Sequence, residues 1–330
     1  MKKSNISIFV PHIGCPHQCS FCNQNTITGQ TKAPTPQDVA DTVETALRSN
    51  KNNTFEYEIA FFGGSFTAID RAYMLSLLEA AYPYVKSGKA TGIRISTRPD
   101  FIDEEVLALL KKYGVTSIEL GAQNMNDKVL AANMRGHTAE DVRNASALIK
   151  KKGFDLGLQM MTDLYTSTRG LDFATAREFA KLKPKTVRIY PTVVLKDTYL
   201  AKLYESGKYK PCPLKKTIAL CADLVEFFES HDIEVIRVGL HASEEIKNNM
   251  LAGGYHECLG ELVISKMMFN RITQLPPGEH QVFINERSIS KLLGNKKSNL
   301  AALEEAGYKL DIRYNNALKP NELRLSLIHI

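Results

Sequence analysis

Residues 14–24 read GCPHQCSFCNQ, and they set three cysteines, Cys15, Cys19 and Cys22, into one tight loop. The run just before it, SIFVPHI at 7–13, is short, apolar and β-rich, so the loop hangs from the end of a first strand. An electron-transfer 4Fe–4S cluster usually takes four thiolates. Three thiolates leave one iron with an open position for a substrate or cofactor, and an open iron points to chemistry. A structural zinc site would want a fourth Cys or His at short reach, for which His12 and His17 are the neighbours. Disulfides are disfavoured. Six cysteines in 330 residues, no secretory signal and no run of about 18 apolar residues fit a cytoplasmic, reducing setting, where thiols bind metal or stay free.

At 44% hydrophobic and 24% charged, the chain can bury one barrel-sized core with a small appendage. A net charge of +6 permits a nucleic-acid partner without requiring one. Short β-rich apolar runs alternate with amphipathic stretches, as in a parallel sheet covered by helices. Strands are predicted at 7–13, 57–64, 92–97, 117–123, 155–161 and 186–192, and helices near 36–49, 70–86, 102–113, 138–152, 170–182 and 213–231. Asp103 or a neighbour can open the third helix, and Gly114 and Gly153 stand where the third and fourth should end. The result is an α/β chain with a partial (β/α)6 TIM-type barrel, whose ligands belong at the C-terminal ends of the strands. The cysteine loop lies on that face. The expected division is a core with a post-barrel extension at 1–270 and a small C-terminal α/β domain at 271–330.

Each predicted strand ends in polar or glycine-bearing residues: Gly63-Gly64-Ser65-Phe66-Thr67, Ser96-Thr97-Arg98-Pro99-Asp100, Glu119 with Gln123, Gln159, and Arg188 with Tyr190. Polar side chains inside a barrel are costly unless partnered, so their gathering at strand ends favours a ligand over packing. Met160 and Met161 read instead as filler for an irregular core.

The C-x3-C-x2-C spacing, with Phe21 just before the last cysteine, resembles the cluster loop of the radical S-adenosylmethionine (radical SAM) enzymes. The resemblance implies a 4Fe–4S cluster on Cys15, Cys19 and Cys22, S-adenosylmethionine on its fourth iron, and a 5'-deoxyadenosyl radical formed with an electron from an external donor such as a flavodoxin or ferredoxin. It further implies that Gly63, Gly64 and Ser65 stand at the superfamily's GGE-type motif, with serine in the acidic place. Ser96 or Thr97 would meet the ribose and Arg98 the carboxylate through its planar fork. Gln123, Gln159 and Arg188 complete the implied cofactor-binding set.

A wider set of motifs, FFGGSFT, STRPD, ELGAQN, MRGHT, GLQMMTDL, RIYPTVVLKDT, VIRVGL and AGGYHECLGELV, resembles the radical SAM half of the Elongator catalytic-subunit family, which modifies the wobble uridine of tRNA. The match is collinear from about residue 6 to residue 265. The chain stops at 330 without room for the acetyltransferase domain of full-length members, so a short-form relative is expected and acetyl-CoA-dependent carboxymethylation is not carried over. Tyr190, Lys196, Arg237, His241, Tyr255, His256 and Glu261 are the substrate-side candidates. Tyr190, Lys196 and Cys258 are the catalytic candidates, Cys258 because it lies in the shared AGGYHECLGELV and could face the radical. His137 reads equally as a cap for the helix that follows, and Cys212 and Cys221 as isolated thiols.

From 281 the order strand, short helix, Gly-Asn-Lys-Lys loop, helix, strand resembles the βααβ centre of a KH domain, whose GXXG loop admits phosphates to backbone amides. Gly294 matches the first glycine and Lys297 replaces the second, with Lys296 beside it, so these three are the RNA-binding candidates. Eight Lys or Arg against five acidic residues in 281–330 give a small basic surplus. A plain α/β cap that closes the barrel is the competing reading. The leading function is a radical SAM enzyme acting on a tRNA nucleoside, with no membrane or DNA partner. The rivals are a radical SAM enzyme for a small metabolite or peptide, and a non-catalytic iron–sulfur protein that binds RNA or assists assembly.

Overall fold

The computed structural model describes residues 2–11, 15, 18–23, 32–50 and 54–327. Seven of its strands build one sheet: β1 (Lys2–Val10), β2 (Phe55–Gly63), β3 (Ile93–Thr97), β4 (Val115–Gln123), β5 (Asp155–Thr162), β6 (Thr186–Pro191) and, after the short β7 (Val193–Leu195), β8 (Glu234–Val238). Their order is β1-β2-β3-β4-β5-β6-β8 and every pairing is parallel, so all the C-terminal ends open on one side. The helices between them are Pro36–Ser49, Arg71–Lys86, Glu104–Lys112, Ala139–Lys151, Arg169–Leu182 and Leu214–Glu229. This is the partial α/β barrel expected, each connection being a strand–helix–strand crossover.

The local signals act where they were read. Asp103 caps the third helix through the Val106 amide at 2.7 Å, and Gly114, with φ of 75°, stands just past its end. Thr138 with Asp141 forms the capping box of Ala139–Lys151. His137 is therefore not the cap: the hydroxyl one residue on takes that place, and His137 is buried with its Nε2 3.1 Å from the Ala122 carbonyl oxygen. Ile59, Phe61, Ile95, Ile118, Leu77 and Leu110 are fully buried between sheet and helices. Each such side chain contributes about 1.5–3 kcal/mol of transfer free energy.

The six-strand count is one short. Leu214–Glu229 leads back into β8, which pairs with β6 through Val187 and Val235. As an edge strand carrying Glu234 and Arg237 it lacks the apolar run that marks an inner strand. The strand expected at 186–192 is β6, which ends at Pro191, and the residues that follow it in RIYPTVVLKDT form the separate β7, which pairs antiparallel with β9 (Met250–Gly253).

The C-terminal unit is a three-stranded sheet in the order β11-β10-β12, made of β10 (Gly278–Ile284), β11 (Tyr308–Tyr314) and β12 (Leu323–Leu327). Helices Ile289–Leu293 and Ser298–Glu305 cross between β10 and β11, which run parallel, while β12 lies antiparallel on the other side of β10. Helix Leu259–Thr273 serves both cores: Leu259, Val263 and Met267 pack on the barrel, Met268 and Ile272 on the C-terminal sheet. The boundary drawn at 270 falls inside this helix. No helix among the described residues is long and apolar enough to cross a membrane.

Candidate functional site

Strands that end together bring distant side chains together. A cavity of about 460 Å³ opens at the C-terminal ends of the sheet. Of the expected cofactor-binding residues, Gly63, Ser96, Gln123, Gln159 and Arg188 line it, with Cys22, Phe21, Tyr190 and His241. Its volume suits a ligand of cofactor size. Met161 also lines it, whereas its neighbour Met160 is in the core, so only one of the pair is filler.

Beneath this cavity lies a layer of paired charges. Arg188 forks onto Glu119, Nε to Oε2 at 2.7 Å and Nη2 to Oε1 at 3.0 Å. Arg94 bridges Glu119 (2.9 Å) and Glu58 (2.6 Å), and Gln159 donates to Glu119 at 3.1 Å. Burial works against the Arg94 charge, but the two carboxylates outweigh it and keep the guanidinium firmly protonated. Glu119 is 1% exposed, which is tolerable because three donors satisfy it. The guanidinium of Arg188 also sits 5.1 Å from the centre of the Phe62 ring, a cation–π contact on the cavity wall. Burial pushes the Tyr190 phenol up, and burial, then Arg237 and Arg188, push His241 down, so both are neutral at pH 7.

Gln123 is the strained member of the set. It ends β4 at φ 64°, next to a register shift against β5, and its Oε1 is buried with no hydrogen-bond partner. A buried acceptor left unpaired costs about 1–3 kcal/mol. A ligand amino or hydroxyl group in the cavity would satisfy it, and this orphaned atom is the best sign that the residues fit a polar cofactor. Gly63, at φ 114°, is held so close to β1 that a Cβ would collide with the Val10 carbonyl oxygen, and its bare backbone faces the cavity.

Other candidates have different work. Ser65 is buried as a latch between strand ends, 2.9 Å from the Thr97 hydroxyl and accepting the Arg98 amide at 3.0 Å; neither it nor Gly64 lines the cavity. Arg98 also stays outside, with its fork filled by Asp100 at 2.9 and 2.7 Å rather than open to a cofactor carboxylate. The Lys196 ammonium donates to the Asn248 carbonyl at 3.0 Å outside the cavity wall. Cys258 is exposed at the start of Leu259–Thr273, its amide donating to His256, and it too does not line the cavity. Gly294, Lys296 and Lys297 lie in the C-terminal unit, at φ 76°, 51° and 59°. The loop thus keeps glycine-like backbone at Lys297 without the glycine.

All six cysteines are outside disulfides. Cys19 is buried, Cys15 and Cys22 half-buried, and the Cys22 amide closes a turn on the Cys19 carbonyl at 3.1 Å. Among the described residues no three His, Cys, Asp or Glu side chains converge on a single-ion site; thiolates on separate irons of a cluster stand further apart than the ligands of one ion. The zinc candidates His12 and His17 lie outside the described residues. The connector after Asp127–Ala132 grips the loop: Asn133 accepts the Ser20 amide (3.1 Å) and hydroxyl (2.8 Å), and Arg135 Nη1 reaches the Cys19 sulfur at 3.1 Å. MRGHT was noted as a motif, but nothing local in it signals that Arg135 meets Cys19.

Comparison with known proteins bears on the family and the fold. The chain matches the Radical SAM superfamily over residues 9–182 and the Radical_SAM C-terminal domain over residues 184–269. It is 23% identical to a tRNA uridine(34) acetyltransferase of Dehalococcoides mccartyi, over 66% of this chain and 55% of that one. It is 32% identical to Elongator complex protein 3 of Homo sapiens, over 54% of this chain and 37% of that one. The chain thus spans about half or less of these relatives. Among solved structures, archaeal Methanocaldococcus infernus Elp3 with an N-terminal deletion superposes with a TM-score of 0.64 at 20% identity, covering 82% of this chain and 64% of that one, a likeness of fold.

Proposed function

The chain belongs to the radical SAM superfamily, and from that premise we propose that it generates a 5'-deoxyadenosyl radical from S-adenosylmethionine and uses it on a nucleoside of tRNA. Cys15, Cys19 and Cys22 are the proposed cluster ligands. The strand-end cavity, with Gly63, Ser96, Gln123, Gln159 and Arg188 on its wall, is the proposed cofactor site. A 4Fe–4S cluster held by these cysteines would supply one-electron reducing chemistry: an electron from an external flavodoxin- or ferredoxin-type donor would pass to the sulfonium of S-adenosylmethionine, which would part into methionine and the 5'-deoxyadenosyl radical.

The chain's own residues orient and shield. The unpaired Gln123 Oε1 takes a donor of the cofactor, and the Gly63 backbone lets it approach the strand end. Glu119 holds Arg188 in place, so that the guanidinium and the Phe62 ring form a fixed wall. Phe21, Met161 and Val193 keep the cavity largely apolar, which limits quenching by water. The observation that carries the reading is the single cavity shared by Cys22 and the strand-end polar residues, drawn from positions 22 to 188 of the chain.

The tRNA substrate rests on the relatives, whose names record action on tRNA uridine. The C-terminal unit, with Gly294, Lys296 and Lys297 at its loop, is proposed to contribute to RNA binding. Nucleosides from tRNA of cells with and without the protein, compared by mass spectrometry, test the substrate; release of 5'-deoxyadenosine by the anaerobically reconstituted protein tests the radical chemistry. Cofactor cleavage with an unchanged nucleoside profile would transfer the assignment to a small metabolite or peptide.

A further inference from the structure

Arg135 is 7% exposed, and no carboxylate pairs with it among the described residues. Its Nη2 donates to the Gly121 carbonyl at the end of β4 (2.5 Å), its Nη1 to the Cys19 sulfur (3.1 Å), and its Nε is buried without a partner. A guanidinium cannot shed its proton in a protein. Buried without an anion it is costly, and one of its N–H groups is aimed at the Cys19 sulfur. The contact is also held from both sides. Ser20, next to Cys19, is tied to Asn133 through amide and hydroxyl, and Asn133 is fixed by its own amide to the Val129 (2.8 Å) and Tyr165 (2.9 Å) carbonyls.

We propose that Arg135 is a positioning residue that fixes Cys19 and raises the readiness of the cluster to accept its electron. The inference rests on the assignment of Cys19 as a cluster ligand. Reduction adds one negative charge to the cluster without changing its ligands. A fixed cation and N–H donor at one cysteine sulfur, in a site shielded from water, favour that reduced state over the oxidised one. The electron comes from the one-electron donor, and no proton or bond moves at Arg135.

The test compares wild type, Arg135→Met and Arg135→Lys after anaerobic reconstitution, with iron content, and midpoint potential from an EPR-monitored dithionite titration. Arg135→Met is expected to bind iron and to be at least tenfold harder to reduce at a given potential, a shift of about 59 mV or more to negative values for a one-electron couple. Arg135→Lys keeps the charge but cannot span Gly121 and Cys19, so its midpoint should fall between the two. Equal midpoints in all three overturn the proposal. If Arg135→Met fails to fold, Arg135→Lys decides, and a wild-type midpoint there overturns it. Absence of iron from wild type would instead refute the assignment of the cluster ligands, a different failure with a different signature.

Discussion

Replacing Glu119 by glutamine removes one negative charge from the layer under the cavity and leaves its shape nearly intact. Arg94 keeps Glu58 at 2.6 Å, but Arg188, with a side chain only 10% exposed, loses the carboxylate that holds both its Nε and Nη2. The new amide also presents hydrogens to a neighbour that only donates. Breaking a buried pair by removing one partner costs about 3–5 kcal/mol, a large part of the roughly 5–15 kcal/mol that separates folded from unfolded domains. Urea unfolding should therefore show Glu119→Gln with a midpoint lower by about 1 M, taking an m-value near ~3 kcal/mol/M. The mechanism makes a sharper claim through the double variant. Arg188→Met removes the stranded charge, so Glu119→Gln with Arg188→Met should be no less stable than Glu119→Gln alone, with a coupling of about 2 kcal/mol or more across the cycle. A loss under about 1 kcal/mol in Glu119→Gln, or additive single effects, would refute the view that this pair is buried and mutually dependent.

Two buried groups make the pH dependence of stability informative. Burial, with Arg135 adding to it, pushes His137 down from 6.5 to about 4, so its contribution is complete above pH 6.5 and is lost as pH falls toward 4, about 3 kcal/mol in all. Burial raises Asp172 from 3.8 to about 6 despite its bonds from Ser167 and the Asp163 amide, so its contribution is complete below pH 3.8 and is lost as pH rises through 6. The two slopes oppose each other between pH 4 and 6. Urea unfolding across that range should be nearly flat for wild type, should fall with decreasing pH in Asp172→Asn, and should rise in His137→Gln; parallel profiles for all three would contradict both assignments. Gly63→Ala should lose at least about 2 kcal/mol, because the added methyl group forces β1 from β2 at a left-handed φ, and a wild-type melting temperature would show that the strands can part. Gln123→Leu should keep or gain about 1 kcal/mol of stability by removing an unpaired buried acceptor, while S-adenosylmethionine affinity of the reconstituted protein drops about tenfold in equilibrium dialysis. Unchanged affinity would remove Gln123 from the cofactor site.

What could be read before the structure follows a physical line. Inner strands such as β2 and β4 are buried on both faces, and a doubly buried strand needs an apolar run, which is visible locally. An edge strand such as β8 needs none, and β7 and β9, of three and four residues, are too short to show a period, so these three depend on pairings that no local pattern encodes, whereas the alternation LRLSL of β12 is a local signal. The site divides in the same way. Three cysteines within eight residues carry their chemistry in one stretch, and polar residues at strand ends reveal their direction because the fold gives every strand the same polarity. Arg98 was harder, since a planar fork suits any carboxylate, and the one it meets stood two residues away in STRPD. Nearness in sequence was the missed clue there. For Arg135 the relation is reversed, because 116 residues separate it from Cys19 and only the pairing of two connectors, through Ser20 and Asn133, brings guanidinium and sulfur together. A motif names the ligand atoms of a reactive centre, whereas the groups that set its charge environment come from wherever the barrel happens to place a loop. The energetics of such a centre are therefore the part of function that a sequence hides most deeply, and the Arg135 variants measure that part.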